Sequence, residues 1–368
     1  MRQSVNPEMI TLAREIRGLT QSKLAENSDI RQAKISRFEG GVSEVGEADL
    51  ESLAAVLEFP PEFFLQVGTR YGAGTSEIFH RSRRTVRTRD LKRIDGLVNL
   101  FRISSEQLLK AFRPESASYI PSISVDEFDD IEEIASTVRA LWQMPTGPVN
   151  NLIGWLEQAS CLVFKWDFET EKIDEVVQWI PPAPPIILVN SSSPADRLRF
   201  SLAHALGHLV MHRGIEPYKN MEKEADRFAS AFLLPANDIS EELAPVSLQH
   251  MLELKPHWKV SMACLIFRAK DLKIIKETRY RSLFQQLSRL GYRKNEPFPI
   301  PHETPSLVKR ILDAHKEKLG YSDQELATLL RVHLKYFYEW YYPRKVIKFP
   351  GADVQFGTWG GSDASIEM

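Results

Sequence analysis

Two cysteines in 368 residues are too few for a disulfide framework. Cys161 and Cys264 lie far apart in apolar segments and read as buried free thiols. Net charge is scarce as well. With 47 basic and 49 acidic side chains the balance is −2, so any surface for nucleic acid must be local. No apolar run reaches the roughly 18 residues of a membrane-spanning helix. The opening "MRQSVNPEMITLAREIRG" has no signal-peptide core. The expectation is a cytoplasmic protein with no membrane partner, long enough for two or three domains. No internal repeat stands out.

What is present begins with short helical patterns. Pro7 marks a helix start, and Ile10, Ala13 and Ile16 keep the helical period up to Gly18. In "LTQSKLAENSDIRQAKISRFEGG", Thr20 is a candidate N-cap for a helix through Glu26, with Asn27-Ser28-Asp29 as a turn. A second helix then spans Arg31 to Glu39. Leu24, Ala25, Ile30, Ile35 and Phe38 can pack the two helices together. Such a helix-turn-helix puts its second helix in the major groove. Gln21 is the candidate phosphate donor, and Arg31, Gln32, Lys34, Ser36 and Arg37 are candidates to face bases or backbone. The stretch resembles the Cro/C1-type (XRE) repressor domain. That resemblance implies a double-stranded operator as partner and, for a palindrome, a homodimer. The alternative is a helical bundle that binds only protein.

A basic connector follows the Gly72/Gly74 break. Arg81, Arg83, Arg84, Arg87, Arg89, Lys92 and Arg93 are the densest positive run in the chain. They suit either added phosphate contacts or an acidic surface of the same protein.

Chemistry concentrates further on. "IEEIASTVRALWQM" and "VNNLIGWLEQA" read as helices, and "CLVFKW" and "PPIILVN" as strands. A two-histidine helix, "FSLAHALGHLVMHRG", comes next. His204 and His208, four apart, stand on one helix face and can aim at one ion. A zinc site with three protein ligands needs one more, and "MEKEADRFASAFLLP" offers it. Glu222 is the preferred metal ligand over Glu224, with Asp226 as acceptor for a histidine N–H. His212, one turn beyond His208, is a candidate for the substrate cleft or for a structural hydrogen bond. Asn190 ends the last strand, where an edge could receive an extended peptide.

The order helix, helix, strands, two-histidine helix is that of a small zincin-like domain. "RLRFSLAHALGHLVMHRG", "EKEADRFASAFLLP" and "LKPHWKVSMACLIFRAKDL" resemble the ImmA/IrrE-type metallopeptidases, including members fused to an XRE domain. The resemblance implies a Zn2+-dependent endopeptidase that cleaves a repressor, antitoxin or similar protein in a stress or phage-defence circuit. One position departs from it. Ala205 stands where such peptidases carry the glutamate that moves a proton between water and leaving amine. Two origins remain open, a natural pseudo-peptidase and an engineered Glu-to-Ala replacement. Either leaves the chain inactive or strongly impaired. The alternative function is a non-enzymatic XRE-type regulator or antitoxin whose pseudo-peptidase domain acts as a sensor.

The C-terminal stretch is helical, with an aromatic cluster (Tyr336, Phe337, Tyr338, Trp340, Tyr341) suited to a core and a Gly-rich tail. The expected class is α+β. The expected segments are a helix-turn-helix domain (1–70), a basic helical connector (71–122), a zincin-like domain with a small sheet (123–240), a helical C-terminal domain (241–345) and a tail (346–368).

Overall fold

The computed structural model describes residues 4–71, 78–82 (backbone only), 86–112, 116–128 and 130–342. The glycine break, Arg83, Arg84, the Arg81 side chain and the tail fall outside these residues.

The N-terminal helices follow from local signals. Pro7 opens α1 (Pro7–Ile16), and the Thr20 hydroxyl accepts from the Lys23 amide at 3.1 Å to start α2 (Gln21–Ser28). The turn is shorter than the sequence suggests. Ser28 stays helical, its hydroxyl donating to the Leu24 carbonyl at 2.7 Å, and only Asp29 takes the left-handed conformation (φ 55°). Arg31 is the N-cap of α3 (Gln32–Glu39), and α4 (Glu47–Leu57) and a 3₁₀ turn at Pro61–Leu65 close the unit.

The connector is not wholly helical. Its first part is a strand, β1 (Ile78–Ser82), and α5 (Thr88–Ala111) follows. Next come α6 (Ile131–Leu141), α7 (Leu152–Gln158), β2 (Leu162–Trp166), β3 (Ile173–Gln178) and β4 (Ile186–Asn190). The long pair is α8 (Ala195–Met211) and α9 (Met221–Leu233). Shorter helices complete the chain: α10 (Ala236–Ile239), α11 (Leu248–Trp258), α12 (Met262–Asp271), α13 (Glu277–Arg289), α14 (Leu307–Leu319), α15 (Asp323–Leu329) and α16 (Leu334–Tyr341). Among the described residues no helix is long and apolar enough to cross a membrane.

The four strands form one sheet in the order β1-β3-β4-β2, antiparallel except for the β4–β2 pair. Both of its faces are covered. Leu162, Phe164, Ile186 and Leu188 enter one core, while the alternating Val163, Ile187 and Val189 enter the other. The first core joins the helix-turn-helix unit, α5 and α14–α16. The second holds α6–α9 and α11–α13. The helices of 241–345 are therefore divided between two cores, on opposite sides of one sheet.

Two glycines allow close helix contacts. A Cβ on Gly96 in α5 would stand 3.0 Å from the Ile16 side chain, and one on Gly207 in α8 would stand 3.1 Å from Phe228 and 3.3 Å from the Ala225 backbone on α9. Gly207→Val should push α8 from α9 and destabilise the protein by about 1–3 kcal/mol. Denaturant unfolding of the two proteins measures this, and an unchanged midpoint would show that the helices can separate freely.

Candidate metal centre and DNA-reading helix

α8 and its C-cap carry three histidines at helical spacing, all buried: His204 and His208 in the helix and His212 at the cap. Two ion pairs fix its first turns. Lys255, itself buried, donates to Asp196 and to Glu296 at 2.8 Å each. Arg199 pairs with Glu303 and donates to the Lys259 carbonyl at 2.9 Å. Burial pushes the Arg199 guanidinium down to about 10.

Three candidate ligand side chains converge where α8 meets α9. His204 Nε2 lies 3.0 Å from His208 Nε2 and 3.5 Å from a Glu222 oxygen, and His208 Nε2 lies 3.3 Å from the other Glu222 oxygen. Tetrahedral zinc with bonds of about 2.0–2.1 Å requires ligand atoms about 3.3 Å apart. The triangle fits. Glu222 is the outer member, its side chain 60% exposed, so the site faces solvent on the α9 side.

The outer partners of the imidazoles assign their protons. An ionised carboxylate only accepts, so His204 carries its proton on Nδ1, which donates to Asp226 at 3.0 Å. His212 Nε2 donates to Glu224 at 3.0 Å, which leaves its Nδ1 as an acceptor. His208 Nδ1, 3.0 Å away, donates to it. That places both Nε2 atoms on the side of Glu222, where they face each other and the carboxylate. Tyr218 donates a further hydrogen bond to Glu224. Burial drives the His208 imidazole down to about 4, so near neutral pH it holds no second proton. Burial pushes the Glu222 carboxyl up, but its contacts with His204 and His208 outweigh this and hold it below the usual carboxylate range, as a proton or cation shared on the Nε2 side would.

Of the two readings open for His212, the structure shows the structural hydrogen bond and not a place on a cleft wall. His212 is fully enclosed and serves as the relay between His208 and Glu224. Asn190 offers no strand edge, because β4 lies between β3 and β2. Its buried amide instead donates to the Thr170 and Ile173 carbonyls at 2.7 and 3.0 Å. Ala205 is also fully buried. Glu224, weighed in the sequence only as a rival ligand, acts one step behind the ligand set. The signal available for it was the HxxxH spacing repeated from His208 to His212.

In the N-terminal unit Arg31, Gln32, Lys34, Ser36 and Arg37 are exposed on α3, while Ile35 and Phe38 are buried. Glu39 holds the unit together. It accepts from Arg14 at 2.5 and 2.8 Å and from Gln21 at 2.9 Å, joining α1, α2 and α3. Gln21 in turn accepts from Gln32 at 2.9 Å, and Lys34 pairs with Asp49 at 2.7 Å. Part of the basic connector is engaged internally: Arg93 pairs with Glu169 at 2.5 Å, and Lys92 lies 3.7 Å from Glu15. Arg87 and Arg89 are exposed.

Comparison with known proteins gives two matched segments. Residues 10–64 match the helix-turn-helix family model, and residues 156–270 match the IrrE N-terminal-like domain. An uncharacterized HTH-type transcriptional regulator of Sinorhizobium medicae is 33% identical over 66 residues, 18% of this chain and 48% of that protein. A counterpart from Rhizobium meliloti matches to the same extent. The chain thus spans about half the length of the curated relatives it matches. On one polypeptide it joins a helix-turn-helix domain of XRE type to a peptidase domain of the IrrE/ImmA kind.

Proposed function

We propose that this protein is an operator-binding regulator whose peptidase domain holds zinc at His204, His208 and Glu222 and engages a protein partner such as a repressor or antitoxin. The reading goes on to a stress or phage-defence circuit and to a chain arrested at the proton-transfer step by Ala205. The observation that carries it is the set of two imidazole Nε2 atoms and one carboxylate brought together at 3.0–3.5 Å.

Zinc bound there would supply a Lewis acid and make a water acidic enough to attack near neutral pH. The chain's own residues prepare for this. Asp226 and the His212–Glu224 pair keep the protons of His204 and His208 on the sides away from the site. That orients the rings and raises their donor strength. Ala205 cannot take a proton or return one to a leaving amine. Loss of a general base costs roughly 10²–10⁴ in rate.

The DNA half of the proposal rests on α3, whose exposed Arg31, Lys34 and Arg37 are the chemistry that phosphate and guanine edges require. A second reading, a regulator with a sensing rather than a cutting domain, is favoured by Ala205 alone.

Three outcomes are expected. Glu222→Ala should abolish stoichiometric zinc, and His212→Ala should weaken zinc about 10–100-fold without removing a ligand. Chelator competition measures both, and full zinc retention in Glu222→Ala would overturn the ligand assignment. Zinc-loaded Ala205→Glu should cleave the partner encoded beside this gene about 10²–10⁴ times faster than the Ala205 chain. No cleavage by a folded, zinc-loaded Ala205→Glu protein would favour the sensor. Arg31→Ala with Arg37→Ala should weaken binding to the gene's own upstream duplex by about 1–3 kcal/mol per base-reading arginine, read by titration at fixed salt. Unchanged affinity would mean that another helix reads the DNA.

A further inference from the structure

Residues 307–342 lie beyond both matched segments, and no repeat stands out in the sequence. The backbone nevertheless carries one. After α1 the chain turns at Gly18 (φ 62°), and after α14 it turns at Gly320 (φ 73°). Thr20 caps α2 through the amide three residues on, and Ser322 caps α15 in the same way. The left-handed residue that ends the second helix is Asp29 in one case and Arg331 in the other, each with φ 55°. Arg31 and His333 are the extended N-caps of α3 and α16. The buried residues Leu24, Ile30, Ile35 and Phe38 have the counterparts Leu326, Val332, Phe337 and Trp340. Every pair stands at one constant separation along the chain, that between Gly18 and Gly320.

The outward faces differ. Where α3 exposes Lys34 and Arg37, α16 has Tyr336, only 8% exposed, and Glu339. A helix without those cations has lost what draws it to phosphate, but its aromatic face meets the first unit. Arg17 lies over the Tyr336 ring at 4.4 Å, and Trp340 packs on Phe59 with ring centroids 6.0 Å apart. Glu58 accepts from Lys335 at 2.8 Å and from the Tyr336 hydroxyl, and Arg331 donates to the Glu62 carbonyl at 3.1 Å. The other end of the unit is tied to the peptidase domain. Glu157 of α7 accepts from the Ser306 and Leu307 amides at 2.7 and 2.8 Å. Glu303, just upstream, pairs with Arg199 of the histidine helix.

We propose that residues 307–342 are a second helix-turn-helix unit that holds protein instead of reading DNA, its α16 docked on the α4–3₁₀ corner of the first unit. The second unit thereby braces the operator-reading module against the sheet and against α7 and α8, while the exposed face of α3 stays free. This assignment rests on the reading of α3 as the DNA-contacting helix only for its nucleic-acid arm.

Hydrogen exchange on the full chain tests the docking. Tyr336→Ala with Trp340→Ala should speed exchange of the amides of 54–65 about tenfold while those of α8 and α9 keep their rates. Because that pair is buried, Tyr336→Phe with Lys335→Ala serves as the milder variant, with about a two- to fivefold rise over the same amides. Unchanged exchange at 54–65 in both variants would overturn the proposal. For the nucleic-acid arm, the probe is the duplex most enriched from a random pool by the full chain. His333→Ala with Tyr338→Ala, both on the exposed side of α16, should change its Kd less than about twofold, against about tenfold or more for Arg31→Ala with Arg37→Ala. Equal losses from the two helices would make α16 a reader of DNA and end the assignment. If no duplex is enriched, the DNA reading of α3 fails while the exchange measurement still decides the docking.

Discussion

The meeting of two imidazoles and a carboxylate where α8 packs on α9 is the constraint around which this molecule is arranged. Their facing atoms lie 3.0–3.5 Å apart, and that closeness is favourable only when a proton or a cation is shared among them. The fold holds them there by several independent means. Gly207 lets α9 approach, Lys255 and Arg199 clamp the early turns of α8, and two carboxylates behind the imidazoles dictate where the ring protons sit. The electrostatic demand is therefore built into the scaffold before any ion arrives.

The sheet lets one body serve two cores. Successive residues of β2 and β4 point to opposite faces, so Phe164 stacks on Phe101 of α5 at 4.2 Å while Val163 packs on the α8 side. The helix-turn-helix unit, through α1 and α5, rests on one face and the histidine helix on the other. A shift of α8 cannot be absorbed by a loose linker, because its neighbours on the sheet are shared.

Legibility in the sequence followed the range of the interactions. The i, i+4 histidines, the cap at Thr20 and the helix start at Pro7 are local and could be read directly. Glu222 and Asp226 could be read as one helix face. Glu224 could not be placed, because its role depends on His212 lying across from it, a fact of tertiary packing. Strand β3 escaped notice since Asp174 and Glu175 interrupt its apolar pattern, yet both are buried, with Asp174 accepting from Ser193. Asn190 looked like the end of an edge strand until the order β1-β3-β4-β2 put it inside. The repeat around α14–α16 keeps turns and buried positions but few identities, so backbone angles reveal it and letters do not.

Ala205 sharpens what the rest of the site is for. Alanine is the residue least costly to a helix, and here its methyl group is fully enclosed, so position 205 suits the run of α8 that carries His204 and His208. Under the proposed function, proton transfer and metal retention would be separable: the first needs a side chain that position 205 lacks, whereas His204, His208 and Glu222 are brought together by the contact between α8 and α9.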